Sequence, residues 1–268
     1  MQMVDFKETE RANIIDLKGI GQSYDGGNNW IIKDLDFVIE DKPDQGQFVV
    51  IMGMSGSGKS TMLRYIAGLQ DPTEGKVLVK NNPVGKDNRV SMVFQQYSSL
   101  PWLTVLENVA LGLEFKGADK KEREDKAREL IKLVGLEGHE DKFAQYPTLS
   151  GGQLQRVAIA RSLLANPEIL LMDEPFGALD VKTRLSMQDL LYDIWHQFHS
   201  TVIFVTHDIA EAVYLGDDIY ILGKNPSKFS EHIDVDLPLQ RSRETKRSPR
   251  YNDLVHHVED TMMRMAAE

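Results

Sequence analysis

Phe48-Val49-Val50-Ile51-Met52-Gly53-Met54-Ser55-Gly56-Ser57-Gly58-Lys59-Ser60-Thr61 passes from an unbroken apolar run into a glycine-rich turn that closes on a lysine and two hydroxyls. Five apolar residues without alternation, Phe48 to Met52, predict a strand covered on both faces, as in a mostly parallel sheet. Beyond the turn, Met62, Ile66 and Leu69 keep helical spacing. Gly53 to Ser60 fits G-x-x-x-x-G-K-[ST], and it lies in the strand-to-helix setting that this pattern requires. Glycines let successive backbone amides converge on a phosphate, and the helix start adds partial positive charge. In such a loop Lys59 reaches the β- and γ-phosphates of a nucleotide, while the Ser60 hydroxyl ligates Mg²⁺. The expected ATP-binding residues are therefore Gly53, Met54, Ser55, Gly56, Ser57, Gly58, Lys59, Ser60 and Thr61. A plain glycine-rich turn would need neither the lysine nor the hydroxyl.

Ile169-Leu170-Leu171-Met172-Asp173-Glu174 is a further apolar run, ending in two adjacent carboxylates. In an open α/β sheet, ligands gather at the carboxyl ends of the strands. Asp173 is then expected to face the magnesium, and Glu174 to poise a water as general base. Alone, an acidic pair after an apolar run reads as a surface turn. Beside a phosphate loop it becomes the second half of a nucleotide hydrolase. Phe204-Val205-Thr206-His207 repeats the arrangement, with a polar side chain at a strand's end. Asp208 and Glu211 have the spacing of a capping box, which would fix the direction of His207.

Elsewhere the pattern alternates between strands and helices, which predicts an α/β sheet with helices on its faces. Ile14 to Leu17 and Leu35 to Ile39 partly alternate, as half-exposed strands do, with a turn at Asp25 to Asn29 between them. Asp119 to Val134 predicts an amphipathic surface helix, with Ala127, Leu130, Ile131 and Val134 as its apolar stripe. After Gly223 the chain is punctuated by Pro226, Pro238 and Pro249, and Arg241, Arg243, Lys246, Arg247 and Arg250 make it basic. That tail reads either as a solvated end or as a regulatory element, closed by a short helix around Leu254 to Met265.

Composition narrows the classes. The 268 residues carry a formal net charge of −10, which opposes non-specific binding to nucleic acid or anionic lipid. Phosphate must be held by local geometry. There are no cysteines, so a disulfide scaffold, a thiolate zinc site and a cysteine nucleophile are excluded. Met1 to Glu10 lacks an apolar core of signal-peptide length, and no apolar stretch approaches the roughly 18 residues of a membrane span. Work at a membrane would go through a partner.

Leu149-Ser150-Gly151-Gly152-Gln153, followed by Leu154-Gln155-Arg156, resembles the signature sequence of ABC-type ATPases and lies upstream of Asp173-Glu174, as in that family. Physically it is a second anion site: Ser150 can cap a helix whose first amides are unobstructed at Gly151 and Gly152. The resemblance implies that the signature of one subunit completes the site of its partner, so that two ATP molecules lie in a head-to-tail dimer of identical or closely paralogous chains. Gln95 resembles the glutamine that links the magnesium site to a membrane partner, and Ala178-Leu179-Asp180 the loop that crosses the dimer interface. Tyr24 resembles the aromatic that stacks on adenine, and His207 the switch histidine at the γ-phosphate.

The fold so implied is a P-loop NTPase (RecA-like) α/β core with a mostly parallel sheet, an antiparallel β subdomain and an inserted α-helical subdomain. The ATPase domain would span 1–223, with core and β subdomain at 13–95 and 166–223 and the helical subdomain at about 96–165; 224–268 would be a C-terminal extension. The expected catalytic residues are Glu174, His207 and Gln95, and the expected magnesium ligands Ser60, Gln95 and Asp173.

Three classes compete: an importer ATPase with separate membrane subunits, a soluble ABC ATPase acting on nucleic acid or the ribosome, and an unrelated P-loop kinase. A kinase needs neither the signature nor the histidine. The second class usually carries tandem ATPase domains, zinc insertions or long coiled coils, none of which the sequence suggests. Gln95 to Val109, including Tyr97, Leu100, Pro101 and Trp102, resembles the nitrate, sulfonate and taurine importer branch, as does the tail with Asp236-Leu237-Pro238. Residues 84–90 and Gly216-Asp217-Asp218 depart from that branch. The resemblance implies an integral membrane permease as partner, a periplasmic or extracellular binding protein acting through it, no nucleic acid, and a peripheral place on the cytoplasmic face of the membrane.

Overall fold

The computed structural model describes residues 13–42, 46–85, 88–96, 98–224 and 226–267. Tyr97 and the amino-terminal stretch read above lie outside these, as do two of residues 84–90. The chain begins with β1 (Asn13–Ser23), β2 (Trp30–Glu40) and β3 (Gln47–Gly53), followed by α1 (Lys59–Ile66), β4 (Glu74–Val79), β5 (Asn82–Pro83) and β6 (Ser91–Val93). Three helices follow, α2 (Val105–Glu114), α3 (Lys120–Leu133) and α4 (Gly151–Leu164). Then come β7 (Ile169–Asp173), α5 (Val181–Phe198), β8 (Thr201–Val205), α6 (Ile209–Leu215), β9 (Asp218–Leu222) and β10 (Phe229–Asp234). A 3-10 turn at Thr245–Arg247 leads into α7 (Pro249–Ala267).

Six strands form the main sheet, in the order β10-β9-β3-β8-β7-β6. All neighbours are parallel except β10, which runs antiparallel to β9. A second, antiparallel sheet has the order β2-β1-β4-β5. The unbroken apolar runs are explained by two cores. Phe48, Val50 and Met52 of β3 enter the core shared with α2 to α7, whereas Val49 and Ile51 enter the core shared with α1 and the antiparallel sheet. β7 and β8 divide their side chains the same way: Leu170, Met172, Val202 and Phe204 to one core, Ile169, Leu171, Ile203 and Val205 to the other.

β2 alternates as its sequence predicts, with Leu35, Phe37 and Ile39 inside and Val38 out. β1 does not. Ile14, Ile15, Asp16 and Leu17 are all buried, because β1 lies between β2 and β4 and under the second core. Asp16 is kept there by Lys18 at 3.0 Å and by a hydrogen bond from the Asn13 amide. Met62 and Ile66 are buried on α1, but Leu69 lies beyond the helix end and is exposed. On α3, Ala127, Leu130 and Ile131 face the core while Asp119 caps the amides of Lys121 and Glu122. No helix among the described residues is long and apolar enough to cross a membrane.

The tail is not a solvated end. α7 spans 19 residues, more than the short segment expected, and starts at Pro249 with the Ser248 hydroxyl accepting from the Tyr251 amide. Proline suits the first helical position because its missing N–H has no partner there anyway. Arg241 is buried and donates to the Tyr214 carbonyl at 2.7 Å, the Gly216 carbonyl at 2.7 Å and the Asp217 carboxylate at 3.2 Å. The other Asp217 oxygen accepts from the Phe48 amide at 2.9 Å. Arg241 and Asp217 thus clamp the tail to the start of β3. Arg241→Ala would leave the half-buried Asp217 carboxylate and two backbone carbonyls without their donor, which is expected to cost about 3 kcal/mol and to lower the melting temperature by about 10 °C. An unchanged melting curve would refute the clamp.

Candidate active site

β3 ends at Gly53, whose φ of 153° brings its Cα under β9: a Cβ there would lie 2.4 Å from the Leu222 carbonyl oxygen. Gly58, at φ 86°, precedes α1 in the left-handed conformation and offers no side-chain cap. The first amides of α1 therefore remain available to an outside acceptor. Met54, Ser55 and Gly56 are exposed, Thr61 and Ser60 are half-buried, and Ser57 is buried. The Ser57 hydroxyl has no hydrogen-bond partner among the described residues. The Ser227 hydroxyl lies 2.7 Å from the Ser57 carbonyl and 2.7 Å from that of Ile31, bracing the loop from the start of the tail.

Lys59 folds back over this loop. Its ammonium donates to the Gly53 carbonyl at 2.9 Å and the Met54 carbonyl at 3.0 Å. Burial pushes its pKa below the usual lysine range, opposed by the charges of Glu174 and Asp173. Those carboxylates come from the end of β7, beside β8, which itself lies next to β3. The Ser60 hydroxyl donates to Asp173 at 2.8 Å. Burial pushes the Asp173 carboxyl above its usual range; the Ser60 hydrogen bond opposes this and the neighbouring Glu174 charge adds to it.

Glu174 stands at φ 44°, a left-handed conformation that carries strain for a residue with a Cβ. Its amide donates to the Val205 carbonyl at 2.9 Å, which fixes the turn against β8. Its carboxylate accepts from the Gln95 amide at 3.2 Å and lies 3.1 Å from Nδ1 of His207. Gln95 follows β6 and His207 follows β8, so three adjacent strand ends bring Gln95, Asp173, Glu174 and His207 together.

Other singled-out residues lie apart. Ser150 caps α4: its hydroxyl accepts from the Gln153 amide at 3.3 Å while the Gln153 side chain accepts from the Ser150 amide at 2.9 Å. Leu149 is buried beneath. A Cβ at Gly152 would lie 2.5 Å from Cγ2 of Thr183, so this glycine also lets α4 start against α5. Asp180 caps α5 through the Thr183 amide at 3.0 Å, and the Thr183 hydroxyl together with that amide holds its carboxyl below the usual range. Tyr24 is 64% exposed, with its hydroxyl 3.3 Å from the Gln70 amide. Among the described residues, no hydrogen bond joins Leu149, Ser150, Gly151, Gly152, Gln153 or Asp180 to the phosphate loop or to Glu174.

The capping box expected at Asp208 forms on one side only. Asp208 accepts from the Glu211 amide at 3.0 Å, but the Glu211 side chain turns inward, to Thr206 and Gln188. Thr206 instead accepts from the Asp208 amide at 3.0 Å. Arg184 and Gln188 behind His207 were not foreseen, since isolated polar residues on amphipathic helices give no motif to find them by. Asn108 was also missed. Buried on α2, it accepts from the Leu100 amide and donates to the carbonyls of Leu100 and Thr104, which pins the loop carrying Trp102. Thr104 and Glu107 there make a full capping box, a signal that the sequence did offer.

A phosphate loop facing a carboxylate pair across parallel strand ends defines a nucleotide hydrolase. The ABC transporter family matches residues 34–177. The taurine import ATP-binding protein TauB of Pseudomonas savastanoi is 41% identical over 251 residues, covering 91% of this chain and 94% of the relative. The nitrate import ATP-binding protein NrtD of Synechocystis is 43% identical over 215 residues, covering 78% and 80%. The cassette MJ0796, solved as a dimer in a post-hydrolysis state with ADP and phosphate, has a TM-score of 0.71 at 38% identity and covers 82% of this chain and 98% of that one. The chain belongs to the ABC transporter ATP-binding family and is an ATPase.

Proposed function

We propose that this chain is the ATP-hydrolysing subunit of an importer for a small anion of the nitrate, sulfonate or taurine kind. It works as a head-to-tail dimer at the cytoplasmic face of the membrane, beneath a separate permease. The observation that carries the hydrolytic half is the convergence of Gln95 and His207 on Glu174, beside Ser60 and Asp173. The TauB and NrtD likenesses support the importer half. The acidic net charge disfavours the soluble alternative acting on nucleic acid or the ribosome.

The residues fit Mg-ATP. The Ser57 hydroxyl, without a partner among the described residues, the open first amides of α1 and the Lys59 ammonium suit phosphate oxygens. Ser60, Asp173 and Gln95 supply the hard oxygen donors that magnesium prefers, one of them a carboxylate. A bound magnesium ion neutralises charge developing on the phosphates. Glu174 accepts the proton of the attacking water, its carboxylate held by the Gln95 amide. His207 holds Glu174 from the other side and faces the γ-phosphate, while Tyr24 stacks on adenine. Leu149, Ser150, Gly151, Gly152 and Gln153 complete the partner's site, and Asp180 crosses between subunits.

Trp102 is 68% exposed on a pinned loop, an anchor for a helix of the permease. Trp102→Ala is expected to leave basal ATPase intact and weaken assembly with the permease about 30-fold. Equal loss of both in a folded variant would place Trp102 in the catalytic fold instead. Reconstitution with the native permease and binding protein in liposomes tests the cargo. Nitrate, taurine or an alkanesulfonate should stimulate ATPase and enter, and an amino acid should not. Stimulation by the amino acid alone would overturn the anion assignment, and ATP-driven efflux the direction.

A further inference from the structure

Lys246 packs the tail against α5 and α6, far in sequence from the matched family region at 34–177. Its side chain is 20% exposed, and its ammonium sits 3.6 Å from the centre of the Tyr214 ring. It donates to the Oε1 of Gln188 at 3.0 Å. Asp189, at 3.9 Å, is the nearest carboxylate. Gln188 is buried on α5 and passes the contact on, its amide donating to Oε1 of Glu211 at 3.1 Å. The other Glu211 oxygen accepts from the Thr206 hydroxyl. That hydroxyl accepts from the Asp208 amide, and Asp208 accepts from the Glu211 amide and from Arg184 at 3.3 Å.

This chain ends on both neighbours of His207, whose own side chain is 63% exposed. Beside its 3.1 Å contact with Glu174, an exposed ring takes its direction from its backbone, so what holds Thr206 and Asp208 helps to aim the imidazole. Lys246 has a particular part. An ammonium only donates, so it forces the carbonyl of Gln188 outward and the amide protons toward Glu211. Without the ammonium the amide is free to flip, and its oxygen would then face a carboxylate. Burial already raises the pKa of Glu211.

We infer that Lys246 is a positioning residue for hydrolysis: acting through Gln188, Glu211 and Thr206, it holds the backbone on either side of His207 and so couples the carboxyl-terminal tail to turnover. The inference rests on the proposed part of His207 at the γ-phosphate. It assigns the tail a role in the reaction that its place outside the sheet's strand ends does not suggest.

Steady-state ATPase of the full-length protein with Mg-ATP tests it, using Lys246→Met, Lys246→Arg, His207→Ala and the Lys246→Met/His207→Ala pair. Lys246→Met should lower kcat about tenfold with KM for ATP unchanged, the size expected for loss of an outer support. Lys246→Arg, which keeps a donor-only cation, should restore most of it. In the His207→Ala background, Lys246→Met should change kcat by less than about twofold, since both act through one side chain. Full additivity of the two, or an unchanged kcat in Lys246→Met, would overturn the relay while leaving His207 its role. An unchanged kcat in His207→Ala would overturn both. Should Lys246→Met not fold, Gln188→Leu cuts the same chain one link further in and is held to the same outcomes.

Discussion

Glu174→Gln should lower kcat about 10²- to 10⁴-fold, the range associated with loss of a positioned proton acceptor, and leave ATP binding intact. Glutamine has nearly the shape of glutamate. The amide oxygen of the variant still accepts from the Gln95 side chain, now at 3.2 Å from the carboxylate, and the backbone bond from residue 174 to Val205 is untouched. What disappears is the ability to take the water's proton. If the signature at Ser150 completes a partner's site, unhydrolysed ATP then stays between two chains and holds them together. Light scattering with size exclusion should show a dimer of the variant in Mg-ATP and monomers once nucleotide is removed. A variant that stays monomeric in excess Mg-ATP would sink the shared-site arrangement; one that hydrolyses normally would sink the assignment of Glu174.

Lys59→Ala should weaken ATP binding about 100-fold, from the roughly 3 kcal/mol lost when one member of a close, desolvated charge pair is removed. In the structure the ammonium is bonded to the carbonyls of Gly53 and Met54. A triphosphate would have to draw it away from two neutral acceptors to charged ones, which are the stronger partners. The fold should tolerate the change. Burial disfavours the charged lysine in the free protein, so its removal also relieves a desolvation cost. Calorimetry on a folded Lys59→Ala protein decides the matter, and an unchanged affinity would mean that the loop is not a nucleotide site.

Much of this site could be read from the chain because its chemistry is local. The lysine, the hydroxyl and the glycines sit within one turn, and Asp173 with Glu174 ends an apolar run, so spacing alone carries the information. The unforeseen parts are those where residues distant in sequence meet. Asp16 reads as the exposed member of an alternating strand until β4 is laid beside β1. Glu211 reads as a capping partner for Asp208, yet buried hydrogen bonds to Thr206 and Gln188 outweigh an exposed cap. Arg241 looks like one more charge in a basic tail, and only the three acceptors gathered at the end of α6 show why it is inside. Pro249 reads as punctuation in the tail, with a short helix only from about Leu254, yet it takes the first position of α7, which runs 19 residues.

The central strands send alternate side chains to opposite cores, and this bears on how the molecule comes apart. Neither core can dissolve while β3, β7 and β8 stay folded without baring one whole face of the sheet to water, and neither can keep its shape once those strands part. Strands that line both cores tie the two together, so β3, β7 and β8 are expected to open last. The phosphate loop hangs from the middle of the sheet, between the ends of β9 and β8. Parting β3, β7 and β8 would therefore open both cores together and remove the support of the phosphate loop, whereas the exposed loop residues Met54 to Gly56 can open without either core.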